Sequence, residues 1–590
     1  MRSYTWILAL MTASSAAIAL PTGKDLLPPD GLFAMTFKGD SASGKVSKVG
    51  TGKKDALRLE TLIDVADPWD VQAQAVLASK VEKGDRILAT FWMRGVRSRA
   101  ESGEASTEFV FERLGEPWTK SIEYPVKAAQ QWRQMQIPFE AAEDYAPGKA
   151  QIVFRMGYPA QSFEIKDFDL VNYGKAVPFS ALPRTRVTYP GRNADAPWRK
   201  EAEGRIKKYR MAPLAIHVVD KNGKPVEGAK IEVTQTKNAF HFGTAVSGRF
   251  MFRSGEDHRQ YAAAVAKYFN MATEENAFKW PTLEKDWEGG WGMDLALQSQ
   301  AWIRSLGLDF RGHCLIWPSW RNMPKSALAL KNDKVALRKA VFKHIRDTAL
   351  AVKGKAAQWD VMNEPFDNHD LMDIYGDSIM PEFFRTAREA DPKAELFIND
   401  YAILSGGGED TPHRRHYEKT LKYLVDQKTP FEGIGMQGHF GYSVTSPDDL
   451  LKLLDRYAVF GKKIMVTEYD IDVNDPDLAG DYTRDLLTIL YSHPAAAGFV
   501  MWGFWDGAHW HRNAPLFNRD WSPKPALRHW DDLVLHAWRT QANGSSDALG
   551  AFATRGHLGD YEIKVTKDGK SVLKKAVLDK KGLNLALKMI

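Results

Sequence analysis

Two glutamates in this chain are set for acid and nucleophile chemistry. Glu364 lies in the run WDVMNEP (Trp359 to Pro365), and Glu468 lies in IMVTEYD (Ile464 to Asp470). Each stretch is apolar up to its carboxylate and then turns polar, as expected where a buried parallel strand runs out at the mouth of a barrel. Cleavage of a glycosidic bond needs one carboxylic acid to protonate the leaving oxygen and one carboxylate near the anomeric carbon. A separation of about 5–5.5 Å gives retention through a covalent intermediate, and a wider gap gives inversion. The chemistry demands no metal, and no dense His, Cys or Asp cluster stands at ligand spacing, so neither a metal nor a cofactor is expected.

The elements that must position these side chains come from a block at residues 238–540, where apolar strands alternate with amphipathic helices. The candidate strands are Phe240 to Val246, Phe269 to Glu275, Phe310 to Trp317, Trp359 to Asn363, Leu396 to Tyr401, Gly433 to His439, Ile464 to Glu468 and Phe499 to Phe504. Eight such units in this length predict a (β/α)8 TIM barrel, whose chemistry sits at the C-terminal strand ends. Glu364 then follows the fourth strand and Glu468 ends the seventh, and barrel closure brings both to one mouth.

On these motifs the block resembles glycoside hydrolase family 10, the retaining endo-β-1,4-xylanases, over nearly all of its length. The resemblance implies that Glu364 is the acid/base and Glu468 the nucleophile. It implies that Asn363 bonds the 2-hydroxyl of the sugar being cleaved, that His439 in GIGMQGH bonds the nucleophile, and that Asp470 orients that histidine. Gln437 is expected beside the nucleophile. Substrate contacts are implied for Glu275, Asn276 and Lys279 in ATEENAFKW, for His313 and Trp317 in RGHCLIW, and for Trp502 and Trp510 in WGFWDGAHW. Asn399-Asp400-Tyr401 is assigned mainly to structure. The chain departs from the family at WPSW, with Pro318 and Trp320, and at Phe278, Tyr469 and Trp505; these are expected to add bulk close to the cleft. The implied activity is endo-cleavage of xylan. The alternatives are the same chemistry on another β-linked glycan, such as a decorated xylan, a mixed-linkage glucan or an aryl glycoside, and a non-catalytic glycan-binding protein.

The remainder of the 590 residues has to form further domains, because one core rarely grows so large. A formal charge of +6 from 80 basic and 74 acidic side chains, without long single-sign blocks, gives nucleic-acid binding little support. Arg2, the apolar run from Trp6 and Ala17-Ile18-Ala19 read as a signal peptide at residues 1–19. With no later apolar run long enough to span a bilayer, an exported protein, periplasmic or secreted, is expected, with a polysaccharide partner, no membrane anchor and a monomeric state. The single cysteine, Cys314, reads as a buried core residue.

Residues 24–175 show short alternating runs and read as an antiparallel β-sandwich of jelly-roll type. This segment resembles carbohydrate-binding modules joined to glycoside hydrolases. Trp69, Trp92, Trp118 and Trp132 are candidates for a sugar platform, although most are expected in the core. Residues 176–210 read as a linker with a short helix. Residues 211–237 begin with a hairpin signal and, with residues 545–590, resemble a small prealbumin-like sandwich split around the barrel.

Overall fold

The computed structural model describes residues 20–50, 55–287 and 292–589; the expected signal peptide lies outside them. The chain forms two compact units, one of residues up to Arg186 and one of Val187 onward, with Glu101–Glu104 belonging to the second.

The first unit holds eleven strands: β1 (Lys24–Asp25), β2 (Thr36–Gly39), β3 (Gly44–Val49), β4 (Ala56–Thr61), β5 (Val71–Leu77), β6 (Arg86–Ser98), β7 (Ala105–Arg113), β8 (Lys120–Ala128), β9 (Arg133–Glu140), β10 (Ala150–Arg155) and β11 (Gln161–Asn172). They form two antiparallel sheets, β3-β4-β11-β6-β9 with β1 beside β11, and β2-β5-β10-β7-β8. Period-2 alternation decides what lies between them. Phe91, Phe109, Phe154 and Phe168 point inward, with the Phe91 and Phe154 rings edge-on at 5.3 Å. Contrary to the expectation that most tryptophans here fill the core, none of Trp69, Trp92, Trp118 and Trp132 belongs to it. Trp92 stands on the opposite face of β6 from Phe91 and Met93, and alternation alone puts it outside.

The second unit opens with a helix, Pro197–Tyr209, and continues into β12 (Met211–Val219) and β13 (Lys230–Asn238). The segment read as a linker is no free tether from Tyr189 onward. Tyr189, Trp198, Ala202 and Ile206 are buried in the barrel core, and Arg199 grips the fully buried Asp485 through Nη1 at 2.7 Å and Nη2 at 2.9 Å.

The barrel follows as β14 (His241–Val246), β15 (Met271–Glu274), β16 (Asp309–Ile316), β17 (Ala356–Asn363), β18 (Glu395–Asp400), β19 (Gly433–Met436) with its short continuation β20 (His439–Phe440), β21 (Lys463–Ile471) and β22 (Ala496–Met501). All its neighbours pair in parallel, and β14 pairs with β22 to close the ring. Helices cover the outside, so the strands are buried on both faces and read as near-continuous apolar runs. Several of these helices start on capping side chains: Asp333 accepts from Val335 N and Ala336 N, and Asp475 from Leu478 N.

After the barrel come β23 (Gln541–Ser545), β24 (Ala551–His557), β25 (Gly559–Lys567), β26 (Lys570–Leu578) and β27 (Leu583–Lys588). They complete two small sheets, β24-β12-β27 and β23-β13-β25-β26, over a shared core of residues such as Leu214, Ile231, Tyr561 and Ile563. Strands from before and after the barrel therefore pair. The hairpin expected from Leu214 to Thr234 is absent: β12 and β13 lie in different sheets, and the Asp220–Lys230 stretch crosses between them. Two alternating strands joined by a polar turn look the same in sequence whether they pair or face each other across a sandwich.

Candidate active site

Glu364 sits immediately beyond β17 in a left-handed backbone conformation, φ 53°, which a non-glycine residue adopts only when its surroundings fix it. Its N–H donates to Asn399 O at 2.8 Å, and its carbonyl accepts from Asn368 N at 3.1 Å and from Asn368 Nδ2 at 3.0 Å. This turn aims the side chain into the mouth. Four N–H donors reach the carboxylate: Gln437 Nε2 (2.8 Å) and Asn363 Nδ2 (3.2 Å) to Oε1, Trp317 Nε1 (3.1 Å) and Asn368 Nδ2 (3.2 Å) to Oε2. Burial nevertheless pushes the carboxyl up to about 8, against the Gln437 hydrogen bond and with help from the negative charge of Glu468.

Glu468, on β21, is equally buried, yet its carboxyl is held below the ordinary value. Burial opposes that shift. The His439 hydrogen bond and the positive fields of His313, His439 and Lys279 overcome it. His439 Nε2 stands 3.4 Å from Glu468 Oε2, and His439 Nδ1 stands 3.0 Å from Asp470 Oδ1. Burial alone would lower the imidazole, but the two carboxylates raise it well above its usual value. Asp470 is itself fixed by Trp510 Nε1 at 2.7 Å, and the same histidine keeps its carboxyl low despite burial.

The two carboxylates are joined by a bridge of amides. Asn399 Nδ2 donates to Glu468 Oε1 at 2.7 Å and to Asn363 Oδ1 at 2.9 Å, and Asn363 in turn donates to Glu364. Asn399, assigned to structure from the sequence, thus contacts Glu468 directly. Gln437, expected beside Glu468, instead directs its side chain to Glu364 and only its backbone carbonyl to Glu468 N, at 2.7 Å.

On the other side of the mouth, His313 Nδ1 lies 3.0 Å from Asp360 Oδ2 and 4.0 Å from Glu468 Oε1, with its ring edge-on to Trp502 at 5.1 Å. Lys279 Nζ donates to Asn276 Oδ1 at 2.8 Å and lies 5.3 Å from the centre of the Trp317 ring. The turn that carries Glu275, Asn276 and Lys279 is held by Glu274, whose buried carboxylate accepts from Gly248 N and Asn276 N, each at 2.9 Å. Trp510 stays 40% exposed, whereas Trp502 is nearly buried. Asn368, Glu274, Asp360 and its partner Arg311 were not found from the sequence. Asp360 pairs with Phe397 of β18, and the register shift between Asp360 and Met362 breaks the alternation that would otherwise have pointed to it.

The bulky departures divide. Trp320 is half-buried near the mouth, with its N–H donated to Asp370 Oδ2 at 2.8 Å, and Pro318 is buried beside it. Phe278, Tyr469 and Trp505 do not crowd the cleft. Phe278 packs on Phe310 and Trp359, Tyr469 bonds Thr483 Oγ1 of an outer helix at 2.8 Å, and Trp505 stacks on Trp521 with ring centres 4.5 Å apart. Cys314 is buried, and burial raises its thiol.

The family model for glycosyl hydrolase family 10 matches residues 232–532. An anti-sigma-I factor, RsgI6, of Acetivibrio thermocellus is 35% identical over 390 residues, which is 66% of this chain and 49% of the relative. Endo-1,4-beta-xylanase 1 of Arabidopsis thaliana is 29% identical over 382 residues, 65% of this chain and 39% of that protein. The chain thus spans about half or less of the length of these relatives. Among solved structures, native xylanase 10B from Thermotoga maritima aligns at 25% identity with a TM-score of 0.46, covering 51% of this chain and 96% of that one.

Proposed function

The chain belongs to glycosyl hydrolase family 10, and from that premise we propose that it is an endo-acting retaining hydrolase that cleaves β-1,4-xylosidic bonds in xylan by double displacement. One observation carries the reading: two equally buried carboxylates meet at one barrel mouth, and their surroundings drive their protonation in opposite directions. The proton held by Glu364 goes to the leaving glycosidic oxygen while Glu468 Oε attacks the anomeric carbon, so that the C–O bond breaks as the glycosyl ester forms. Once Glu468 is esterified its charge no longer raises Glu364. The four N–H donors around Glu364 then stabilise the carboxylate, which takes a proton from water as that water attacks the ester and frees Glu468. In this reading Asn363, bonded to both Glu364 and Asn399, holds the 2-hydroxyl of the sugar being cleaved.

The names of several relatives, endo-1,4-beta-xylanases of Arabidopsis thaliana among them, support xylan as the substrate. The apolar run before Ala19 supports export, and no helix among the described residues is long and apolar enough to cross a membrane. Incubation with xylohexaose and cellohexaose, followed by proton NMR of the first products, tests the proposal. Internal cleavage of xylohexaose to β-configured ends is expected. Faster cleavage of cellohexaose, or α-configured first products, overturns it.

A further inference from the structure

Glu274 ends β15 directly before the turn that carries Glu275, Asn276 and Lys279, and it is only 1% exposed. At that depth it cannot itself touch a sugar, and the double displacement gives it no proton to move. Its carboxylate is bound instead to backbone. Oε2 accepts from Asn276 N at 2.9 Å and from Ala277 N, and Oε1 accepts from Gly248 N at 2.9 Å.

The place of these bonds in the barrel matters. β14 and β15 pair in parallel as far as Val246 and Glu274, and Glu275 N adds a last bond to Val246 O at 3.1 Å. Beyond it the two chains part: Gly248 opens the short helix Gly248–Met251, while residues 275–279 turn toward the helix Trp280–Leu283. The Glu274 side chain carries the link past the end of the ladder. A carboxylate suits the task because both its oxygens accept, whereas an amide in its place sets its own NH2 against one of the N–H groups.

The turn has an apolar and a polar side. Phe278 is buried against Phe310 and Trp359, and Trp280 stacks on His344 with ring centres 4.3 Å apart. Glu275, Asn276 and Lys279 stay half-buried. The packed rings fix how deep the turn sits; they do not fix the direction of the backbone at Asn276, which Glu274 holds through Asn276 N and Ala277 N. From there the order passes outward. Asn276 Oδ1 accepts from Lys279 Nζ at 2.8 Å, and Lys279 lies 5.3 Å from the centre of the Trp317 ring.

We propose that Glu274 is a positioning residue for substrate binding: by tying the turn of Glu275, Asn276 and Lys279 to the loop after β14, it sets how tightly the sugar chain is held without entering the chemical step. This deepens the function proposed above and rests on it.

The test compares the full chain with Glu274→Gln, close in size to the native side chain, and with Glu274→Ala. KM for xylohexaose is expected to rise about tenfold in Glu274→Ala, and by less in Glu274→Gln, whose carbonyl keeps the turn but not Gly248 N, while kcat stays within about twofold. Added to Asn276→Ala, Glu274→Gln costs little more, because the side chain it aims is gone. Calorimetric titration of xylohexaose into the chain carrying Glu468→Ala reads binding separately, and there Glu274→Gln weakens affinity by the same factor as it raises KM. A carboxylate that only supports the fold lowers the melting temperature and the active fraction, so kcat falls and KM holds; that result, or costs that add in the double variant, overturns the proposal. An unaltered chain that binds xylohexaose without cleaving it counts against the catalytic reading alone, since the titration still tests Glu274. An unaltered chain that neither cleaves nor binds it overturns both.

Discussion

Glu364 and Glu468 are 7% and 5% exposed, so burial treats them alike, and yet one carboxyl is pushed up to about 8 and the other is held below the ordinary range. The difference lies in what surrounds them. Glu364 meets only neutral amides and an indole, which bond a carboxylate without bringing positive charge. Glu468 faces His439, charged because Asp470 backs it, with His313 and Lys279 beyond. Neutral donors are too weak to offset the desolvation of a buried anion; cations are sufficient. The two carboxyls are therefore told apart by their neighbours' charges, not by depth.

The largest way to break that comparison is to remove Glu468, the proposed nucleophile. Glu468→Ala is expected to lower kcat on an activated aryl xyloside by at least about 10⁴-fold, with partial rescue by azide that yields the β-glycosyl azide. Unchanged turnover would end the assignment. Glu364→Ala is expected to cost roughly 10²–10⁴-fold on xylan, where the leaving oxygen needs a proton, and far less on substrates with good leaving groups. The unaltered protein should show the two environments as the limbs of one bell. Glu364 must be protonated, so kcat/KM falls as pH rises through about 8; Glu468 must be ionised, so it falls again only below the usual carboxylate range. Loss of the alkaline limb in Glu364→Ala, read on an aryl substrate, checks that assignment.

The barrel, and the meeting of Glu364 and Glu468 at its mouth, were legible because each rests on a local pattern. An apolar run marks a strand buried on both faces, eight such runs close only one way, and two of them run out in Glu364 and Glu468. What escaped is non-local. Asn399 looked structural because its own strand gives no sign that it reaches across to Glu468, and Asn368 lies in a turn with no periodicity to read. Tyr469 and Trp505 were placed near the cleft by sequence proximity to Glu468 and Trp502, but successive strand residues face opposite sides, and Tyr469 turns outward to Thr483. The tryptophans of the first unit failed for the same reason in reverse: a large apolar side chain invites a core assignment, while alternation with Phe91 and Met93 had already put Trp92 outside.

Asn368 sharpens the comparison at its smallest scale. It is fully buried, with Oδ1 fixed by Ser319 Oγ at 2.7 Å and Asn322 Nδ2 at 2.9 Å, and its Nδ2 holds both the strained Glu364 backbone carbonyl and Oε2. It touches Glu364 and not Glu468, so it acts on one half of the pair. Asn368→Ala removes a donor that favours the charged form of Glu364, and the alkaline limb should therefore move to higher pH. With the acid less well aimed, kcat/KM on xylan should fall by about tenfold, and the loss should shrink as the leaving group improves. Asn368→Asp keeps the shape but places a like charge beside the acid, so its limb should move in the same direction. A purely structural asparagine would lower the melting temperature and leave both the limb and the leaving-group dependence where they were. If neither moves in either variant, the protonation of Glu364 is set by burial and by Glu468 alone.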